Sequence, residues 1–199
     1  MSYMRIDEKN NIIDSFEKAR DFLLTQKNLL DLKWFVLAFH HGVHNLMLLA
    51  LVDSAQGGIW VEDKKRGLPI MRDLGGGTYI VDTFNEKNKL LGFMVAFKYI
   101  QDYHRMHHFV MSKPFVAQPY HRDSMMHLND RLRNQFIHYR PLGWSINEQY
   151  IYEICKPVIE IANFLVFQSG QCNFDLDEQN KLREIFKSMD DFFILKGVK

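Results

Sequence analysis

The chain is 199 residues long, 47% hydrophobic and 14% aromatic, with a formal charge of +1. This composition excludes a disordered chain, because sixteen Phe, eight Tyr and three Trp require a packed interior or an interface, and a single domain over residues 1–199 is long enough to bury them. The near-neutral balance excludes a protein that coats nucleic acid non-specifically, so any nucleic-acid site has to be a local basic patch.

The first nine residues lack the apolar core of a signal peptide. Ile12, Ile13, Phe16, Ala19, Leu23 and Leu24 recur at helical spacing and predict a first helix over 11–26. Asp31 is expected to cap a second helix over 32–53, which is apolar around most of its circumference and is the candidate centre of a bundle. His40, His41, His44 and Asn45 interrupt that apolar run, which suits a buried helix better than a membrane span. A soluble, cytoplasmic protein with no membrane partner is the expectation.

Gln56-Gly57-Gly58 ends the second helix, and residues 56–82 read as a long loop or irregular insertion with room for a short helix. Its Gly75-Gly76-Gly77 lacks the Gly-Lys-Ser/Thr that would make it a phosphate-binding P-loop. Thr83-Phe84-Asn85-Glu86 has capping-box spacing and predicts a third helix running to about 109. Lys113-Pro114 and Gln118-Pro119 close that element, and a fourth helix follows over 121–139. Pro141-Leu142-Gly143 stops it. Ser145-Ile146-Asn147-Glu148 then has the spacing to cap a fifth helix, with Pro157 inside it as a kink and Gly170 at its end. Asp175-Leu176-Asp177-Glu178 caps a last amphipathic helix to about 193. With no sustained two-residue alternation and no internal repeat, the fold class is all-α: an up-and-down bundle of about five to six helices. Cys155 and Cys172 are too far apart in sequence for a CxxC site and read as two reduced thiols.

The fourth helix carries Arg133-Asn134-Gln135-Phe136-Ile137-His138. Asn134 and His138 are four apart and would share a face. Arg133 reaches the flank of that face with a planar fork of donors suited to phosphate oxygens. Leu132, Phe136 and Ile137 would bury the opposite side. Arg122, Arg131 and Arg140 flank the motif and could track a polyanion, while Tyr120, Tyr139 and Trp144 could stack on bases.

This stretch resembles the Arg, polar residue, three residues, His signature of the HEPN superfamily, small all-helical proteins that include RNA-cleaving toxins and defence proteins. The resemblance covers roughly residues 10–170. It implies a HEPN-like bundle and metal-independent endoribonuclease activity in a toxin or antiviral system. The neighbouring 2′-hydroxyl would attack the phosphate, leaving a 2′,3′-cyclic phosphate and a 5′-hydroxyl. Arg133, Asn134 and His138 would be catalytic, and Arg122, Arg131, Tyr139 and Arg140 would bind substrate. No cofactor is implied. The partners would be RNA, a second copy of the chain completing the site across a two-fold axis, and a cognate antitoxin or regulator. The chain departs from one branch of the family: the position two beyond the histidine, often Tyr in toxins paired with a nucleotidyltransferase antitoxin, is Arg140 here.

Two other readings compete. A HEPN-like protein could bind RNA, nucleotides or protein without cleaving, with Arg133 paired to an acid such as Asp130 and His138 capping the helix end. Alternatively His40 and His44 on the second helix, with His104 and His108 on the third, could converge on a metal within the bundle.

Overall fold

A computed structural model describes residues 7–52, 58–61, 71–73, 79–81, 89–107, 109–138 and 143–198. The fold is an all-α helical bundle. Helix α1, Glu8–Leu24, starts where the Asp7 side chain accepts from the Asn10 amide, and it pairs along its length with α2, Asp31–Leu51. Gly42 permits their close approach, since a Cβ there would lie 3.1 Å from the Phe16 ring. Asp31 does not cap α2 as expected. It is the first helical residue, and its carboxylate reaches back to the amides of Lys27 (2.7 Å) and Asn28 (3.2 Å), holding the preceding turn.

By length and composition α2 is apolar enough to cross a membrane. In the bundle, 61% of its most apolar window is buried, which is compatible with a soluble protein. Phe35, Val36, Phe39, Val43, Leu46 and Met47 are fully enclosed. The rings of Phe16 and Phe186 meet edge to face at 4.9 Å, and Phe35 stacks on Phe39 at 5.5 Å.

The segment after α2 differs from the expectation. Within it the three-residue strands β1, Met71–Asp73, and β2, Tyr79–Val81, pair antiparallel, and Trp60 bridges Leu90. The Thr83–Glu86 capping box lies outside the described residues. The next described helix, α3, is Phe93–Tyr99 and begins after Gly92. The chain ahead of it is held extended by the Leu91 amide bonding Ile59 O at 2.9 Å. Turns follow α3, so His104 does not sit on a helix face; its amide bonds the Asp102 side chain.

A continuous helical rod then runs through α4, Pro119–Met126, a π-helical segment, His127–Arg133, and α5, Asn134–Ile137. Helix α6, Glu148–Phe167, continues through Pro157. Its cap is Asn147, which accepts from the Gln149 amide at 2.9 Å, rather than Ser145. Gly170 ends this part of the chain at φ +69, where a Cβ would come within 3.0 Å of Met111 O, so only glycine suits the position. Helix α7, Leu176–Leu195, opens with the expected capping box: Asp175 accepts from the Glu178 amide, and Glu178 from the Asp175 amide, both at 2.8 Å. Asp175→Ala is expected to cost about 1 kcal/mol in urea unfolding; an unchanged midpoint would mean that the packing of Phe186 and Phe193 alone sets this helix.

Helix α6 packs on α2, α4 and α7, and the π-helical segment packs on α2 and α6. The core therefore lies between the α1–α2 hairpin and α6–α7. The motif-bearing rod closes one side against α2. Burial pushes the Cys155 thiol far above its usual range, so it is an inert part of the core.

Candidate functional site

The motif straddles the exit from the π-helical segment. Seven residues, His127–Arg133, are wound with i to i−5 bonds, and the Asn134 amide donates to Asn129 O across the last wide turn. Single wide turns inside α-helices recur at functional positions because the inserted residue re-aims the side chains that follow. Here the wide segment ends at Arg133, and Asn134 begins the last tight turn.

Arg133 is half-buried, and its Nη1 donates to Asn134 Oδ1 at 2.7 Å. The two residues thus form one rigid unit, with an amide oxygen fixing the edge of the guanidinium. Helix α5 ends at Ile137. His138 is its C-cap at φ −99, ψ 64, with its amide bonded to Asn134 O at 2.9 Å and its side chain exposed. The expectation that Asn134 and His138 share a helical face is corrected accordingly: the imidazole leaves from the residue that terminates the helix. Ile137 is not buried either, being 47% exposed, whereas Leu132 is enclosed and Phe136 is half-buried against Trp144, their centroids 5.4 Å apart.

The site has a second layer that the motif did not reveal. His40 on α2 is 7% exposed, lies flat on Phe93 at 4.1 Å, and places Nε2 3.1 Å from Asn129 Oδ1. The Asn129 Nδ2 donates to Asp130 Oδ1 at 2.6 Å. Its Oδ1 is therefore the atom presented to His40, so the ring nitrogen Nε2 carries a proton and donates it. Asn129 is the junction: its side chain holds His40 and its backbone carbonyl holds Asn134. Burial pulls the His40 pKa down to about 4, opposed by the Asn129 hydrogen bond and reinforced by the Arg133, His44 and His41 charges. His44 donates Nε2–H to Leu91 O at 2.8 Å, and burial again lowers its pKa, with the His41 and Arg133 charges adding to the depression. His40 and His44 thus lie within the electrostatic reach of Arg133. The sequence signal for this layer was the His40/His44 spacing; its partners Asn129 and Phe93 carried none.

Of the expected substrate-binding residues, Arg131 is exposed two positions before Arg133. Arg122 is exposed on α4, sixteen residues before His138 along the rod. Tyr139 and Arg140 lie outside the described residues. Tyr120 is turned to Glu160, its hydroxyl donating to Oε2 at 3.1 Å, while Trp144 stands beside Phe136. Of the four histidines weighed for a metal, His40 and His44 are engaged by Asn129 and Leu91, His104 lies exposed in turns beyond α3, and His108 is outside the described residues. Among the described residues no group of three or more His, Cys, Asp or Glu side chains could hold an ion.

Beside α5 a cavity of about 380 Å³ opens between the α1–α2 connection, the motif turn and the start of α6. Gln135 and Phe136, two of the three residues that separate Asn134 from His138, line it together with Trp144. The chain matches no family model, no curated protein and no solved structure.

Proposed function

We propose that the protein is a HEPN-type, metal-independent endoribonuclease acting in the cytoplasm within a toxin or antiviral defence system, with its active site completed by a second copy of the chain. The observation that carries this reading is the geometry of the motif itself. A guanidinium held by its neighbour's amide at 2.7 Å stands at the exit of a wide helical turn, and an exposed imidazole sits at the helix end five residues on.

Arg133 offers two parallel N–H donors to the non-bridging oxygens of a phosphodiester and neutralises the charge that grows on them as the phosphorus becomes five-coordinate. His138 accepts the proton of the attacking 2′-hydroxyl as the new P–O2′ bond forms. As the P–O5′ bond breaks, the departing 5′-oxygen takes a proton, so the reaction needs an acid as well as a base. A two-fold dimer facing the two motifs across its axis supplies both from one histidine per chain. Arg131 then meets a neighbouring phosphate, and Arg122 meets a part of the strand further from the cut.

The test is incubation of purified protein with labelled single-stranded RNA in excess EDTA, followed by analysis of the ends. Fragments ending in 2′,3′-cyclic phosphate and 5′-hydroxyl are the expected result. RNA that stays intact with every sequence tried would transfer the reading to a HEPN-like protein that binds without cutting.

A further inference from the structure

The cavity beside the motif is formed by groups that suit a flat, neutral, hydrogen-bonding ligand. Its inner surface is apolar, with Leu32 and Ile151 almost fully enclosed. Phe136 and Trp144 stand at its wall with centroids 5.4 Å apart and planes inclined by 43°, and Trp144 is 41% exposed. At about 380 Å³ the cavity lies at the lower end of the range for small-molecule pockets, ~300–1,000 Å³.

Its polar groups are few and of complementary kinds. Lys33 lies in the first turn of α2 with its ammonium 4.9 Å from the Trp34 ring centroid. Glu148 is the first residue of α6, where the helix dipole favours its charge, and its Oε2 accepts from the Tyr152 hydroxyl at 3.2 Å. Gln135 contributes an amide that can donate and accept. A phosphate in this cavity would face the Glu148 carboxylate, so the balance of one cation and one anion selects against an anionic occupant. An alkyl chain would make no use of the three polar groups.

We propose that this cavity receives a nucleobase of the RNA strand next to the cleaved phosphate, and that its rim selects guanine. The proposal rests on the RNA-directed reading above for its biological ligand. Guanine is the base whose Watson–Crick edge places two donors side by side, N1–H and the N2 amino group, matching the two oxygens of a carboxylate, with O6 beside them as an acceptor for an ammonium or amide. Uracil offers one N–H between two carbonyls, which meets Glu148 with repulsion on either side. Base stacking on Phe136 and Trp144 supplies the sequence-independent part of the binding. The pocket and the chemistry share one helical turn: Phe136 faces the base while Arg133 and His138, three residues before and two after it, flank the phosphate. Seating a base there fixes which phosphate reaches the motif.

The test uses mononucleotides, which contain no phosphodiester bond and cannot be cleaved, so binding is read independently of catalysis. Wild-type protein is titrated with 5′-GMP, 5′-IMP and 5′-UMP, following tryptophan fluorescence and amide NMR shifts. The same titrations are made with Phe136→Ala and Glu148→Gln, whose folding is checked by circular dichroism. The expected order is GMP tighter than IMP, which lacks the N2 amino group, and IMP tighter than UMP. Phe136→Ala should weaken all three about fivefold or more, whereas Glu148→Gln should remove the preference for GMP and leave UMP little changed. Equal affinity for the three nucleotides, no binding at all, or shifts confined to residues away from the cavity would overturn the proposal. Failure here with RNA still cut in EDTA would sink the base pocket alone. Selective GMP binding by a protein that cuts no RNA would sink the nuclease reading alone.

Discussion

Alanine in place of Arg133 or His138 is expected to slow RNA cleavage by about 10²–10⁴-fold, with the fold intact. The His138 side chain is exposed at a helix end, and exposed substitutions of that kind usually change stability by less than about 0.5 kcal/mol, so a lost rate would report on the chemistry. Arg133→Lys should recover little. An ammonium keeps the charge but loses the planar fork, and with it the 2.7 Å bond to Asn134 that aims the guanidinium. Asn134→Ala removes that aim without removing any charge and is expected to cost roughly tenfold to a hundredfold. The rates are measured in single-turnover assays with EDTA, and circular dichroism confirms the helical content. If His138→Ala retained activity within a factor of three, the imidazole would not be moving the proton, and the reading of this site as a nuclease would fail.

Much of the bundle could be read from residue patterns because its long helices declare themselves locally. The stripe from Ile12 to Leu23 on α1 is buried, and the Asp175/Glu178 box opens α7 as expected. The misreadings arise where a local signal loses to another partner. The third helix was expected to run to about 109, but α3 occupies only Phe93–Tyr99, and just ahead of it Leu90 and Leu91 are drawn into extended pairing with Trp60 and Ile59. Ser145 has the spacing to cap α6, yet Asn147 is nearer the first free amides and takes the role.

The motif was visible as residue types, whereas its geometry was not. A window that scores helical periodicity cannot register wide turns that hold Asn134 against Asn129 rather than the residue four back. The residue that anchors that junction, His40, is 89 positions away in the chain. For the same reason Ile137, apolar and in helical phase, was expected inside and is 47% exposed.

The buried His40 is expected to make the protein acid-sensitive, at a cost of about 2 kcal/mol between pH 7 and pH 5 that a His40→Gln variant escapes. Well above pH 7, the ring is neutral in both the folded and the unfolded chain and contributes almost no pH dependence. As the pH falls through 6.5 the unfolded chain takes up the proton, while the folded chain refuses it down to about pH 4. Stability is therefore lost progressively across that window, and below pH 4 the full penalty, roughly 3 kcal/mol, is in place.

His41 and His44 are also lowered by burial and act in the same direction, so the variant should flatten the curve rather than abolish its slope. Glutamine keeps a donor for Asn129 Oδ1, which separates the titration from the hydrogen bond itself. The measurement is urea unfolding of both proteins at matched concentration from pH 7.5 to 4.5; superimposable pH profiles would show that His40 takes up its proton without unfolding. Arg133→Ala should shift the wild-type loss to a higher degree of acid tolerance, because removing that charge relieves part of the depression on His40. A residue proposed to act on phosphate and a residue buried in the bundle would then be shown to sense each other's charge. That coupling is what the Asn129 junction predicts, since it ties the stability of the α2 contact and the geometry of the motif to the same side chain.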